Sequence, residues 1–351
     1  MNAERERETH TRSRAFTVAL AKLLMKLRES PPPTPQDFGL NEIFRHESYV
    51  EARPDEQRKL RARSSLFRYD DELLKPFFQT YFESYRTDSG SDFRSHLTGK
   101  TVLDFGCFTG GRGVRWAEQY GIKRVCGTDI NPIYIKAAGE FAHSKGLPHD
   151  YRLLGGDNKL PFDDQSIDTI VSFDVFEHVN DLPEAMRECL RVLKPGGVVF
   201  AVFPSYYQPL ESHLDLVTRT PALQWIFDGQ TLTRAYFEIL SERPAQWYKP
   251  QQSTSGWEKL PTLNGVTVRM FHRLLDKLPF SVEHVTRTPI LTTGKTYNTL
   301  RKYFLRPVLG AALRTRFVDD YILDRIAVVL RKPAGNHGSD QGGRGLLSQV
   351  R

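Results

Sequence analysis

A short apolar run, Thr101-Val102-Leu103-Asp104-Phe105, stops on the glycine-rich segment Gly106-Cys107-Phe108-Thr109-Gly110-Gly111 and gives way to a helical pattern from Arg112 to Tyr120. Strand, tight turn and helix in that order place the loop at the carboxyl end of a strand, where open α/β sheets take their ligands. Gly106 and Gly110 allow the backbone to turn sharply and to approach a ligand with no Cβ in the way. The spacing is not G-x-G-x-x-G, which argues against a dinucleotide pyrophosphate as the guest. Asp104, just before the turn, suits a cationic amine better than a phosphate. Taken alone, an ordinary glycine-rich βα turn would read the same way.

The residues that follow are regular. Strand patterns fall at 101–105, 123–128, 151–154, 168–173 and 198–203, with helical patterns at 112–120, 132–145 and 181–193. This alternation predicts right-handed crossovers and a largely parallel sheet covered on both faces. Lys194-Pro195-Gly196-Gly197 predicts a helix stop before the fifth strand, and 155–167 is turn-rich.

Around that core the chain divides by composition. Residues 1–98 predict a helical extension, broken at Pro31-Pro32-Pro33-Thr34-Pro35, with a segment from Asp70 to Tyr85 whose aromatics Phe77, Phe78, Tyr81, Phe82 and Tyr85 recur at helical spacing. Such a stripe reads as core, and its place before the first strand would also let it cover a ligand cleft. Within Ala15 to Leu27, Phe16, Leu20, Leu23 and Leu27 share one helical face, away from Lys22 and Lys26. Docking of that face on the protein's own core is the expectation, and peripheral membrane contact is the alternative. Residues 99–203 form the core, 204–279 an aromatic insertion suited to capping a substrate, 280–333 two closing strands with a basic helical insertion, and 334–351 a Gly-rich, polar tail expected to be disordered.

The net charge of +7 sits at one end: 11 Lys/Arg against 4 Asp/Glu from Ile290 to Arg351 leave the rest balanced. Cys107, Cys126 and Cys189 are scattered, with no C-x-x-C and no histidine cluster at ligand spacing, which argues against a disulfide framework or a metal site and for a reducing, cytoplasmic setting.

Motifs in order carry a resemblance. Val102-Leu103-Asp104-Phe105-Gly106-Cys107-Phe108-Thr109-Gly110 resembles the first motif of class I S-adenosylmethionine-dependent methyltransferases, of the branch called type 11. Gly127-Thr128-Asp129-Ile130 is similar to their second. Gly156-Asp157-Asn158, with Leu160-Pro161-Phe162 and Ser166-Ile167-Asp168, is similar to the third. Ser172-Phe173-Asp174-Val175-Phe176-Glu177-His178-Val179 resembles the fourth, and Leu190 to Gly197 the approach to strand five. The resemblance covers about 99–203 and implies a doubly wound, mostly parallel seven-stranded α/β sheet of Rossmann-like type, with S-adenosyl-L-methionine as cofactor. The family carries glycine where this chain has Phe108, so that ring either crowds the cofactor or lies over it.

The resemblance places Asp104, Gly106, Cys107, Phe108, Gly110, Asp129, Ile130, Asp157, Asn158, Phe173 and Asp174 at the cofactor. Asp129, 25 residues after Asp104, is expected to accept both ribose hydroxyls, since one carboxylate offers two acceptor oxygens. Asp157 is expected to accept from the adenine amine, and backbone groups around Gly106 and Phe173-Asp174 to hold the methionyl end. The competing reading for each aspartate is a cap or turn role. The implied activity is methyl transfer to a small or medium-sized organic acceptor, at oxygen, with two histidines as candidate bases: His178, at the start of a helix, and His213, in the insertion after strand five. An ordinary histidine pKa of about 6.5 suits proton removal near neutral pH. Nucleic acid is a disfavoured partner, because Pro204-Ser205-Tyr206-Tyr207 follows strand five and lacks the asparagine of amine-directed nucleic-acid methyltransferases. The rival classes are a nicotinamide-dependent oxidoreductase and a non-catalytic cofactor-binding module.

Overall fold

The computed structural model describes residues 2–30, 81–155, 159–214, 217–243, 263–290, 307–315 and 318–334. They fall into two compact units. One takes Pro35–Phe203, Phe271–Thr288 and Arg325–Arg351 and holds the sheet; the other takes Met1–Thr34, Pro204–Met270 and Pro289–Asp324 and is mainly helical.

In the sheet unit the chain lays down β1 (Thr101–Phe105), α2 (Gly111–Tyr120), β2 (Arg124–Asp129), α3 (Pro132–Ser144), β3 (His149–Leu153), β4 (Ile167–Phe173), α4 (Leu182–Val192) and β5 (Leu193–Phe203). Two more strands, β6 (Ser281–Pro289) and β7 (Leu323–Arg331), complete a seven-stranded sheet of order β3-β2-β1-β4-β5-β7-β6. Strands β1 to β5 pair in parallel, and β7 runs antiparallel to β5. The chain winds from β1 out to β3, then returns across β1 to begin β4. The strand order reverses there, which makes the carboxyl ends of β1 and β4 the natural cleft.

The expected strands and helices of the core all form, most ends moving by two residues or fewer. Strand five differs. It begins at Leu193, so Lys194-Pro195-Gly196-Gly197 lies inside a strand instead of ahead of it. Gly196, at φ 76°, and a register shift opposite Ile167 and Thr169 take up the irregularity. From Val198 to Phe203 the strand is wholly buried, as a central strand covered on both faces must be.

Of the aromatic stripe before β1, Phe77 and Phe78 lie outside the described residues. Tyr81, Phe82 and Tyr85 are buried in the core with Trp116, Phe200 and Val329. Phe82 and Phe93 set their rings edge-on to Phe200 at 5.1 and 5.0 Å. The Tyr85 hydroxyl donates to Glu283 at 2.6 Å, and Glu283 is paired with Arg331, which ties this segment to β6 and β7. The described part of the stripe is therefore core.

The helical unit is built on α1 (Asn2–Leu27) and α5 (Gly229–Ser241). Val18, Ala21 and Met25 of α1 pack with Leu232, Ala235, Tyr236 and Ile239 of α5 and with Leu214, Val217 and Leu223. Asp228 caps α5 by accepting from the Thr231 N–H at 2.9 Å. Helix α1 does dock on its own unit, but through the face opposite the expected one: Phe16, Leu20, Leu23 and Leu27 are exposed. The small residues Ala21 and Val18 let the two backbones approach, which the larger leucine stripe would prevent. Helix α6 (Val268–Leu275) follows the insertion. Of the second insertion, 307–315 is described and is helical over 307–313. Among the described residues no helix is long and apolar enough to cross a membrane.

Candidate functional site

Three strand ends build the site. Register pairs Phe105 of β1 with Thr128 of β2 and with Ser172 of β4. The next residues on each strand, Gly106, Asp129 and Phe173, therefore lie side by side at the carboxyl edge.

The glycine loop is fastened to β2. The N–H groups of Gly106 and Cys107 both donate to Thr128 O, at 2.8 and 3.0 Å, and Gly110 N–H donates to Cys107 O at 2.9 Å. The Gly106 carbonyl accepts from Arg112 Nη2 at 3.1 Å. These backbone groups hold the loop in place. The glycines themselves are required. At Gly106 (φ 75°) a Cβ would sit 2.2 Å from Val175, and at Gly110 (φ 77°) it would sit 2.9 Å from the Ala138 backbone. Gly110 also caps α2, whose first turn points into the loop; a helix N-terminus favours negative charge, such as a carboxylate.

Asp104 is corrected too. It is buried at the end of β1 and forked by Arg112 of α2, with Nε 3.1 Å from each carboxylate oxygen and Nη2 closer still to Oδ1. Burial pushes the Asp104 carboxyl up and the guanidinium pulls it back. Its charge is already matched, so a ligand amine would meet a neutral pair. Arg112, eight residues on and the second residue of α2, was not anticipated.

Asp129 keeps acceptor capacity. Its Oδ1 accepts from Asn131 N–H at 3.0 Å and its Oδ2 from Phe108 N–H at 3.1 Å. Burial raises this carboxyl, offset by the N–H groups of Asn131, Phe108 and Ile130. A carboxylate oxygen has two acceptor positions, so beside these N–H groups the carboxylate retains capacity for a hydroxyl. The anticipated turn role is seen here, since the same carboxylate turns the chain into α3. Beside it, Ile130 is 76% exposed, an apolar side chain open at the sheet edge where a flat ring could lie. Phe108 sits in the left-handed region at φ 48°, where glycine is at ease, and its ring packs against Tyr134 at 4.4 Å. That contact turns the ring onto α3 and holds a backbone shape that costs about 1–2 kcal/mol for a residue with a Cβ.

The fourth motif also differs in detail. Phe173 is buried in the sheet core. Asp174, at φ 52°, donates its N–H to Val202 O at 2.8 Å, so this group serves the fold and not a ligand. Its carboxylate is gripped by Arg325, with Nε at 2.9 Å from Oδ1 and Nη2 at 3.2 Å from Oδ2. His178 lies in a turn, with its N–H donating to Val175 O, and α4 begins only at Leu182 behind the Asp181 cap; it is not at a helix start. Its Nε2 is 3.7 Å from Glu177 Oε1. His213 belongs to the helical unit and has φ 55°. Asp157 and Asn158 lie outside the described residues. The turn after them is clamped to α4: Leu160 N–H donates to Glu188 Oε2 at 2.8 Å, and Arg191 reaches the carbonyls of Leu160 and Phe162 at 2.8 and 2.9 Å. Cys107, Cys126 and Cys189 are buried thiols outside any disulfide.

In the helical unit, the insertion after β5 sets Tyr207 and Tyr321 in a stack at 5.3 Å, with Trp225 edge-on to Tyr321 at 5.5 Å and its indole N–H donating to Tyr207 O at 2.7 Å. Trp225 and Tyr321 remain exposed, an aromatic wall available to an apolar molecule.

A family profile described as a methyltransferase domain matches residues 103–201. Norajmaline N-methyltransferase from Rauvolfia serpentina is 36% identical over 102 residues, which is 28% of this chain and 34% of that protein. A ubiquinone biosynthesis O-methyltransferase from Thiobacillus denitrificans is 32% identical over 110 residues, 31% of this chain and 46% of that one. A sterol 24-C-methyltransferase from Aspergillus fumigatus is 28% identical over 225 residues, 58% of each. The chain thus spans less than two thirds of the curated relatives it matches. A solved phosphoethanolamine N-methyltransferase 2 from Haemonchus contortus, in complex with S-adenosyl-L-methionine, aligns with TM-score 0.44 and 16% identity over 75% of this chain and 53% of that one.

Proposed function

We propose, on the premise that residues 103–201 of this chain form a class I S-adenosylmethionine-dependent methyltransferase domain, that the protein transfers the cofactor's methyl group to a small or medium-sized organic acceptor, at oxygen. The observation that carries the cofactor reading is Asp129. It ends β2 beside a loop in which Gly106 and Gly110 leave no room for a Cβ, and its carboxylate keeps acceptor capacity. This donor and acceptor set fits the group: Asp129 for the ribose diol, Ile130 for one face of the adenine, and the α2 N-terminus for the methionyl carboxylate. Asp157 and Asn158 are proposed for the adenine edge.

When bound, S-adenosylmethionine supplies an electrophilic methyl that passes by in-line displacement, leaving a neutral thioether. What this chain contributes is position. The paired Asp104–Arg112 and Asp174–Arg325 groups stiffen the two loops at the switch point, and a rigid cradle spares reorganisation at the moment of transfer. The aromatic wall of Tyr207, Tyr321 and Trp225 supports an acceptor with a substantial apolar body. The relatives in hand act at nitrogen, oxygen and carbon, so transfer at oxygen rests on His213, proposed to take the hydroxyl proton as the O–CH3 bond forms. Three thiols kept out of disulfides support a reducing, cytoplasmic setting.

The test is calorimetric titration with S-adenosylmethionine and with NADH, followed by mass spectrometry of extract incubated with methyl-labelled cofactor. Binding of the first ligand alone and a labelled small molecule with its methyl on oxygen are expected. A labelled amine or carbon would overturn the oxygen assignment, and binding of NADH alone would overturn the cofactor.

A further inference from the structure

Helix α1 is apolar on two sides, and its unit uses one of them. Val18, Ala21 and Met25 are buried, whereas Phe16, Leu20, Leu23 and Leu27 are 70%, 37%, 59% and 68% exposed. At roughly 100° per residue these four fall within an arc of roughly 60°, opposite the docked face. The exposed stripe amounts to an area on the order of 500 Å², more than scattered surface leucines make and enough to mark an interaction site.

The helix is also basic. From Thr9 to Arg28 the sequence carries Arg12, Arg14, Lys22, Lys26 and Arg28 and no Asp or Glu. Lys22 reaches across to Glu238 and Glu242 of α5 at 3.3 and 2.9 Å, and Lys26 approaches Glu242 at 3.5 Å while staying half-exposed. These ion pairs fix the roll of α1 on α5, so the apolar stripe is held outward on a packed scaffold. Arg14 lies toward α5, donating to Gln230 at 2.8 Å, and Arg28 follows the helix end, exposed.

We propose that α1 is a membrane-surface anchor: the Phe16-Leu20-Leu23-Leu27 stripe sinks into the headgroup boundary of an anionic bilayer, with Lys26 and Arg28 reaching the lipid phosphates. The helix lies on the surface and does not span it. Two arguments favour lipid over a second copy of this chain. A stable protein interface needs about 800 Å² from each partner, which this stripe does not supply. A bilayer needs no matched surface, and an apolar stripe beside positive charge is what an interfacial helix presents to anionic lipid. The proposal stands whether or not the methyl acceptor is lipophilic.

The full chain is sedimented with vesicles of phosphatidylcholine alone and of phosphatidylcholine with phosphatidylglycerol. Binding at least about tenfold stronger to the mixed vesicles is expected, weakening as salt rises. The double variant Leu23→Gln/Leu27→Gln should bind them roughly 30-fold more weakly, from the apolar area withdrawn. The single variant Phe16→Ser, at the other end of the stripe, should weaken binding in the same direction. Both should keep the parental melting temperature and cofactor affinity. Equal or absent binding to the two vesicle types, or variants that bind like the parent, would overturn the proposal. A dimer seen by light scattering that the double variant abolishes would assign the stripe to self-association. Melting of both variants well below the parent would assign it to the folded interior. Either result also overturns it.

Discussion

Replacing Asp129 tests the cofactor reading most directly. In the folded protein its oxygens accept from the N–H groups of Asn131 at 3.0 Å and Phe108 at 3.1 Å, with Ile130 N–H beside them, and the carboxylate keeps acceptor capacity. The ribose hydroxyls would take up that capacity. A charge-assisted hydrogen bond is worth about 1.5–3 kcal/mol where water is excluded. The neighbouring Ile130 is 76% exposed, so water reaches this end of the cleft and refills part of what is lost. The expected cost of Asp129→Ala is therefore about 1.5–3 kcal/mol for the pair of bonds, a rise in Kd of roughly tenfold to 150-fold. Asp129→Asn should do no better, because its amide NH2 must face one of two N–H donors and cannot accept from it. It should also lower stability by about 1–3 kcal/mol, the cost of an N–H left unmatched. Isothermal titration with S-adenosylhomocysteine and with 5′-methylthioadenosine separates the ribose from the amino-acid end: both should weaken by the same factor. A folded Asp129→Ala protein that binds both ligands within twofold of the parent would refute the assignment.

Arg112→Met strands the Asp104 carboxylate in the interior and should destabilise the protein by about 3–5 kcal/mol at pH 7.5. Without the guanidinium the folded-state pKa of Asp104 rises further above its unfolded value, so the lost stability should return as pH falls toward about 4 and the proton is taken up; urea melts of parent and variant at both pH values check this, and an equal penalty at both would count against it. Phe108→Gly removes a ring from a position at φ 48° and should bind S-adenosylmethionine within about threefold of the parent by titration, since relief of about 1–2 kcal/mol of strain offsets the lost Tyr134 contact; a parent that does not bind beside a variant that does would make the ring a block. His213→Ala should lower kcat by roughly 10²-fold on the true acceptor with the cofactor Kd unchanged, and near-parental turnover would remove His213 from the reaction.

Much of the sheet could be read from the chain because short apolar runs between amphipathic helices admit few arrangements. Thr101–Phe105 was placed to the residue, and the family resemblance put Asp129 at the end of the second strand, where it lies. Orientation was harder. The periodicity of α1 located its most hydrophobic face correctly, yet packing chose the face of Val18, Ala21 and Met25, because periodicity records where apolar groups lie and not which of them meets a partner. Asp104 and Asp174 read as open acceptors since their partners, Arg112 and Arg325, come from a helix eight residues on and a strand 151 residues on. Such pairing is set by the fold and leaves no local pattern. The start of β5 was hidden because Pro195-Gly196-Gly197 signals a stop in the abstract, while a bulge lets a strand absorb it.

The three thiols offer a clock for local opening. Cys107 sits in the glycine loop, Cys126 in β2 and Cys189 in α4, all buried and outside disulfides. Burial pushes Cys126 up to about 12 and raises Cys189 as well, so neither reacts with an alkylating reagent from the closed protein. Each labelling rate then measures how often its own segment breathes open. A ligand seated on the glycine loop would slow Cys107 in proportion to its occupancy while leaving Cys189 at the rate of global unfolding, so one chain carries both the gauge and its reference.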